Sequence, residues 1–430
     1  MEPAHPPSRG RQATAESVEG VWRIESARLI ATLSRITGDF GLAEDIAQDA
    51  LVKALETWPE TGVPENPAAW LMATARNRGI DRIRRDQSLA GKYRQIAGEL
   101  ELAEPEPGPH AAAFEGDRIG DDLLTLIFTA CHPALTTESQ VALTLKSLAG
   151  LSTDEIARAF LVSNATVSQR IVRAKRTLSE SEVGFEPPAE DEMGARLAAV
   201  LGVIYLIFNE GYSATAGEEW MRTDLSAEAL RLGRILAGLA PGEPEVHGLV
   251  ALMEIQASRF PARIGPDGAP VLLLEQDRSL WDRLLIRRGL ERLELARGLD
   301  GKGPYVLQAS IAACHARAAT PGETNWEEIV ALYDELATIR DSPVAELNRA
   351  VAISMAGDPA AALEAIDRLV DDRRMAGYHL LPSARGDALE RLGRHEEAAA
   401  EFERASTLTA NLQEKRVLDE RAANSRKSSA

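Results

Sequence analysis

Only two cysteines, Cys131 and Cys314, occur in 430 residues, far apart and without ligand-spaced partners. That scarcity excludes a disulfide framework and a thiolate metal site, and fits a reduced, cytoplasmic setting. Cys131 precedes His132, yet adjacent residues do not face each other on a helix, so the pair reads as buried structure and not as a nucleophile with its base. No apolar run approaches the ~18 residues of a membrane span. Met1 to Ala15 is polar and proline-bearing, with no hydrophobic signal core. Neither a metal set, a phosphate loop nor a nucleophile elbow is present, which argues against an enzyme and implies no cofactor. Excess positive charge is lacking too: the net charge is −18. Any contact with nucleic acid must therefore come from local basic patches on an acidic background. What the chain does have is length for two to four domains and a hydrophobic content of 45%, enough for well-formed cores.

The most organised stretch is Ser152 to Leu178, STDEIARAFLVSNATVSQRIVRAKRTL. Thr153, Asp154 and Glu155 supply a capped, acidic first turn, and Ile156, Ala157 and Phe160 the buried side of a short helix. Leu161-Val162-Ser163 makes a turn. In the second helix Val167, Ile171, Ala174 and Leu178 recur at spacings of four, three and four, one inward stripe of a 3.6-residue period. The opposite face carries Thr166, Gln169, Arg173 and Arg176, flanked by Arg170 and Lys175, with no acidic residue among them. Short polar groups and arginine forks near a helix N-terminus reach base edges while flanking cations neutralise phosphates, so this helix-turn-helix suits a DNA major groove.

In chain order, residues 1–18 have the composition of a disordered arm. Helical patterning begins at Val21, and residues 19–86 read as one helical domain. Leu42 to Trp58 places Ala47, Leu51, Ala54 and Trp58 on one stripe and leaves Glu44, Asp45, Gln48 and Asp49 as an acidic outer face. Pro59 to Pro67 breaks that helix. Trp70 to Asp86, WLMATARNRGIDRIRRD, then aligns Arg78, Arg82 and Arg85 on one side, a second basic stripe beside a Trp-bearing loop. Residues 87–120 are acidic and proline-rich, a flexible linker. Residues 121–182 hold the helix-turn-helix, with Thr136-Thr137-Glu138 as a further cap signal.

Residues 183–302 continue as helices, with a polar turn NEGYSATAG after an apolar helix and a Gly/Pro hairpin-like insert at Gly265 to Pro270. Two groups there could line pockets: Glu210, Tyr212 and Trp220, and Asp277, Arg278, Trp281 and Asp282. Between 303 and 415 the chain repeats itself. Gly357 and Gly393, and likewise Ala362 and Ala398, are 36 residues apart. Gly386, Leu389, Gly393, Ala398, Phe402 and Ala405 follow a tetratricopeptide-like (TPR-like) pattern, with weaker copies from about Gly303 and Pro343. Stacked helix pairs of this kind bind protein segments on a concave surface. Residues 416–430 form a polar tail.

The combination of AEDIAQDALVKALETW, WLMATARNRGIDRIRR and STDEIARAFLVSNATVSQRIVRAKRTL resembles extracytoplasmic-function (ECF) sigma factors of bacterial RNA polymerase, over about residues 20–180, in the subfamily with a long C-terminal extension. The resemblance implies an all-α protein with sigma region 2 at 19–86 and sigma region 4 at 121–182. It further implies that core RNA polymerase and promoter DNA are the partners. Asp45, Gln48 and Asp49 would meet the polymerase, and Arg76, Asn77, Arg78, Arg82 and Arg85 the −10 element. The loop from Trp58 to Pro67 would hold a flipped base. Ser163, Asn164, Thr166, Gln169, Arg170 and Arg173 would meet the −35 element, with Lys175 and Arg176 adding to that basic face. Ser168 and Gln169 stand where such proteins often have Lys and Ser, so the −35 sequence is not transferable. The rival is a one-component helix-turn-helix regulator with a TPR-like peptide sensor, which leaves Trp70 to Arg85 unexplained.

Overall fold

The computed structural model describes residues 9–85 and 111–429 apart from 182, 215, 218, 219, 267 and 268; for 9–16, 80–85, 111–119, 216, 217 and 429 it describes the backbone alone. Most of the expected linker thus lies outside the described residues, as do the side chains of Arg82 and Arg85. The described chain is all-α, as the sequence implies. Eighteen α-helices are joined by short turns, and a two-residue parallel pair, β1 (Ala216–Gly217) with β2 (Ala410–Asn411), is the strand structure among them. Contacts divide the chain into two units, residues 1–203 and 204–430.

The first unit contains α1 (Arg9–Thr37), α2 (Phe40–Thr61), α3 (Pro67–Arg85), α4 (Ala111–Ala130), α5 (Thr137–Ser147), α6 (Thr153–Ala159), α7 (Asn164–Glu180) and the first half of α8 (Met193–Tyr212). The start of α1 at Arg9 falls within the stretch read from composition as an arm. Asp39 caps α2, its carboxylate accepting the Leu42 N–H at 2.8 Å. Ala43, Ala47, Ala50 and Ala54 of α2 are fully buried, and their small side chains let α1 settle closely through Leu29, Ile30 and Leu33. Gly79 of α3 serves the same end: a Cβ there would come within 3.3 Å of Ile46. Two details depart from the sequence reading. The second helix runs past Pro59 to Thr61 and stops at Gly62, whose φ of 84° suits the left-handed region. Trp58 is 1% exposed and packs edge-on against Trp70 at 5.3 Å, so its ring belongs to the core and only Trp70 is half-exposed.

The second unit comprises the second half of α8, α9 (Thr223–Leu239), α10 (Pro244–Ala257), α11 (Arg283–Gly298), α12 (Pro304–Arg317), α13 (Trp326–Ile339), α14 (Pro343–Met355), α15 (Pro359–Asp367), α16 (Leu380–Arg391), α17 (His395–Leu408) and α18 (Leu412–Ser429). Glycines set its close approaches. A Cβ on Gly248 would sit 2.7 Å from the Val306 nitrogen, and one on Gly289 2.6 Å from Ile255. The repeat read from sequence appears as helix pairs, α14 with α15 and α16 with α17, turning at Gly357 and Gly393 with φ of 110° and 73°. Ala362 and Ala398 are fully buried at the contacts, and Gly386 admits the Phe402 ring where a Cβ would be 2.6 Å from it. Helix α8 is long and apolar enough in composition to cross a membrane. Its Val200, Leu201, Ile207 and Phe208 are all buried.

Candidate nucleic-acid interface

The helix-turn-helix is built from its caps. Ser152, one residue before the expected start, caps α6 in a reciprocal box: its hydroxyl accepts the Glu155 N–H at 3.2 Å, and the Glu155 carboxylate accepts the Ser152 N–H at 2.8 Å. Burial pushes the Glu155 carboxyl up, but the Ser152 donors and the Arg23 guanidinium hold it below the usual carboxylate range. The turn passes through Leu161 at φ 50°, and Ser163 then caps α7, accepting the Thr166 N–H at 3.1 Å. Val167, Ile171, Ala174 and Leu178 are all buried, the inward stripe expected from their spacing.

The polar face of α7 separates into residues that shape the motif and residues left exposed. Ser163 and Thr166 share a hydroxyl contact at 2.8 Å, and Asn164 donates to Asp154 and accepts from Ser168 at 3.2 Å. These groups hold the turn. Arg176 is exposed and pairs with Glu180 at 2.6 Å, while Arg170 is half-buried. Gln169 and Arg173 are exposed and make no hydrogen bond or ion pair with any described residue.

Lys175 turns the other way. Its ammonium binds Glu44 and lies 3.0 Å from Asp45, both on α2. Burial lowers the Lys175 pKa, and the two carboxylates more than reverse this, holding it above the ordinary lysine value. Glu44, expected on an exposed acidic face, is instead 1% exposed, covered by α7 and bonded also by Gln48. Half-buried Asp45 and Gln48 are therefore engaged at this contact, whereas Asp49 has no described partner. Two further ion pairs join the same helical groups: Arg23 with Glu155, and Arg35 with Asp122 at 2.9 Å. Gly150 fits against Trp22 and Arg23, where a Cβ would be 3.2 Å from the Arg23 Cα. Sequence patterning missed this packing, since each pair is more than 80 residues apart in the chain. On α3, Arg76 and Arg78 are half-buried and Asn77 is exposed. The Cys131 thiol is buried against Thr144, which burial pushes up to about 11, and the His132 ring accepts the Ala134 N–H, so the two form no nucleophile pair.

Family models match three parts of the chain: sigma-70 region 2 over residues 23–89, sigma-70 region 4 over 125–178, and a family of unknown function (DUF6596) over 196–297. Fold and motif together define a sigma-70-type factor. Among relatives, an uncharacterized protein of Rhizobium meliloti (strain 1021) is 44% identical over 386 residues, 90% of each chain. A probable ECF RNA polymerase sigma factor, SigI of Mycobacterium tuberculosis, is 25% identical over 42% of this chain and 61% of its own. The ECF RNA polymerase sigma factor SigL of the same species is 29% identical over 34% of this chain and 76% of its own. No solved structure matches. The two sigma-70 regions and the ECF relatives support an ECF-type sigma factor with a C-terminal extension that includes the 196–297 segment.

Proposed function

We propose that this protein binds core RNA polymerase in the cytoplasm, places its two basic elements on the −10 and −35 promoter elements, and has no enzymatic activity of its own. The observation that carries the reading is α7, a capped recognition helix whose Gln169 and Arg173 stand exposed without partners among the described residues, in a chain of net charge −18. Asp45, Gln48 and Asp49 would form the polymerase contact, with Arg76, Asn77, Arg78, Arg82 and Arg85 on the −10 element. Ser163, Asn164 and Thr166 set the entry angle of α7, Gln169, Arg170 and Arg173 address the −35 bases, and Lys175 and Arg176 the phosphates.

Run-off transcription with purified core polymerase and a genomic promoter library is the test, and abundant specific starts are expected. If core polymerase ignores the protein while it binds an ordinary operator, the one-component regulator is correct. In the same assay Arg173→Ala should lose about 1–3 kcal/mol and relax preference at one −35 position. Arg176→Ala, at an exposed position, should weaken all sequences alike and lower the salt slope. Equal loss on every sequence for both variants would reject the division of the helix into reading and positioning residues.

The second unit is proposed to regulate or enable the sigma module through a bound protein segment. A groove of about 740 Å³ beside its helix pairs has Trp326, Val351, Met355 and Val417 as apolar lining, and its charged lining, Glu275, Asp387, Glu390 and Glu420 against Arg391 and Arg421, is acidic in balance. That combination fits an extended peptide with apolar anchors and a basic residue.

A further inference from the structure

The 196–297 segment contains a charge arrangement that neither DNA nor polymerase contact requires. Arg259 and Arg263 lie one turn apart beyond the end of α10, and Arg278 opens the short turn before α11; they are 6%, 6% and 4% exposed. Arg278 is anchored by the carbonyls of His315 at 3.0 Å and Ala318 at 2.8 Å and by the Thr324 hydroxyl at 3.1 Å. Arg259 and Arg263 have no carboxylate within ion-pairing distance among the described residues. Their surroundings are aromatic: the Arg263 guanidinium lies 3.6 Å from the Tyr212 ring centre and 5.4 Å from that of Trp220, and Arg259 lies 5.2 Å from that of Trp281. Glu414 acts on Arg263 from beyond ion-pairing distance, and its Oε2 is engaged by His379 at 3.0 Å and Thr409 at 2.6 Å.

The Tyr212 hydroxyl accepts from Arg259 and Arg263, yet five N–H donors here go unanswered. The Nε atoms of all three arginines and the indole nitrogens of Trp220 and Trp281 are buried with no hydrogen-bond partner. A buried charge with no counter-charge is unfavourable, and neighbouring like charges make it more so. The field shows in nearby groups. Burial pushes the Tyr212 phenol up, yet Arg259 and Arg263 hold it below the ordinary tyrosine value. Burial, with Arg259 and Arg278, drives His315 down to about 3, so the ring is neutral and supplies no further positive charge.

We propose that this cluster is a binding site for a small oxyanion, a phosphate or carboxylate group, with Arg259 and Arg263 as its cations and Tyr212 and Trp220 as added donors. An oxyanion supplies both missing elements at once: a counter-charge for the guanidiniums and acceptors for N–H groups fixed in a fork geometry. Its position also couples it to the repeats. The segment following Tyr212 forms β1 on β2, and the buried Asn411 amide donates to the Ala214 carbonyl at 3.0 Å. Ligand binding at Tyr212 therefore reaches the start of α18.

The test is thermal denaturation of the full chain, dialysed into chloride, with inorganic phosphate in one arm and acetate in another at constant ionic strength. A saturable rise in Tm of at least about 2 °C is expected. The arm that produces it identifies the group. Arg259→Met and Arg263→Met should lose the rise, and Arg263→Lys should weaken it at least about tenfold in the concentration needed. Should a Met variant fail to fold, Arg259→Lys with Arg263→Lys takes its place, since both keep the charge and remove the fork. No saturable rise in either arm overturns the proposal. So does a rise that survives in the variants, which is the general stabilisation that excluded salts produce on any protein.

Discussion

Lys175→Glu should destabilise the packing of α7 on α2 by about 3–5 kcal/mol, because it sets a carboxylate against Glu44 where that side chain is 2% exposed. Removing one partner of a buried pair leaves the other charged and without solvent, a larger effect than loss of an exposed ion pair. Exchanging the charges, Glu44→Lys with Lys175→Glu, should recover a substantial part of the loss. Distance measurements between spin labels on α2 and α7, made alongside thermal denaturation, report both outcomes. The distinction matters for function, because Asp45 and Lys175, proposed for polymerase and DNA respectively, are 3.0 Å apart and satisfy each other. Each must leave the other to serve its proposed partner. An unchanged distance distribution and an unchanged Tm in Lys175→Glu would show that the ion pair holds nothing.

Removing the second unit should change promoter-dependent transcription by at least about tenfold, equivalent to ~1.4 kcal/mol. The cut belongs after Val203 and not at the end of α7. Val200 and Leu201 of α8 fall in the first unit and are buried, and Arg196 donates to the Phe128 carbonyl at 3.0 Å. A chain ending at Ser181 would lose these contacts and confuse lost stability with lost regulation. Loss of activity would make the second unit an enabling domain, and constitutive gain would make it a restraint. Equal activity and equal polymerase affinity for the two chains, in vitro and in cells, would reduce it to a passenger.

Local patterns were legible from residues alone. The four-three-four spacing of Val167, Ile171, Ala174 and Leu178 reports burial because side chains on a helix recur every 3.6 residues, and all four are buried. The 36-residue recurrence of Gly357 with Gly393 marked turns because both positions need positive φ, which costs glycine little. The resemblance to sigma factors rested on three such local stretches, and the family models match the two regions that contain them.

What the sequence left open was which outward-facing residues would remain outward. Periodicity places Glu44 and Lys175 on polar faces, and only the packing of α7 on α2 buries the first and pairs it with the second. Trp58 likewise read as part of a base-holding loop until Trp70 closed over it. Tyr212, Trp220, Arg278 and Trp281 stood out as two separate groups, and the tertiary structure joins them through Arg259 and Arg263. The physical reason is common to all three cases. Helical propensity, caps and turns depend on neighbours within about one turn, whereas burial, charge pairing and pKa depend on groups that meet only when distant segments exclude water between them.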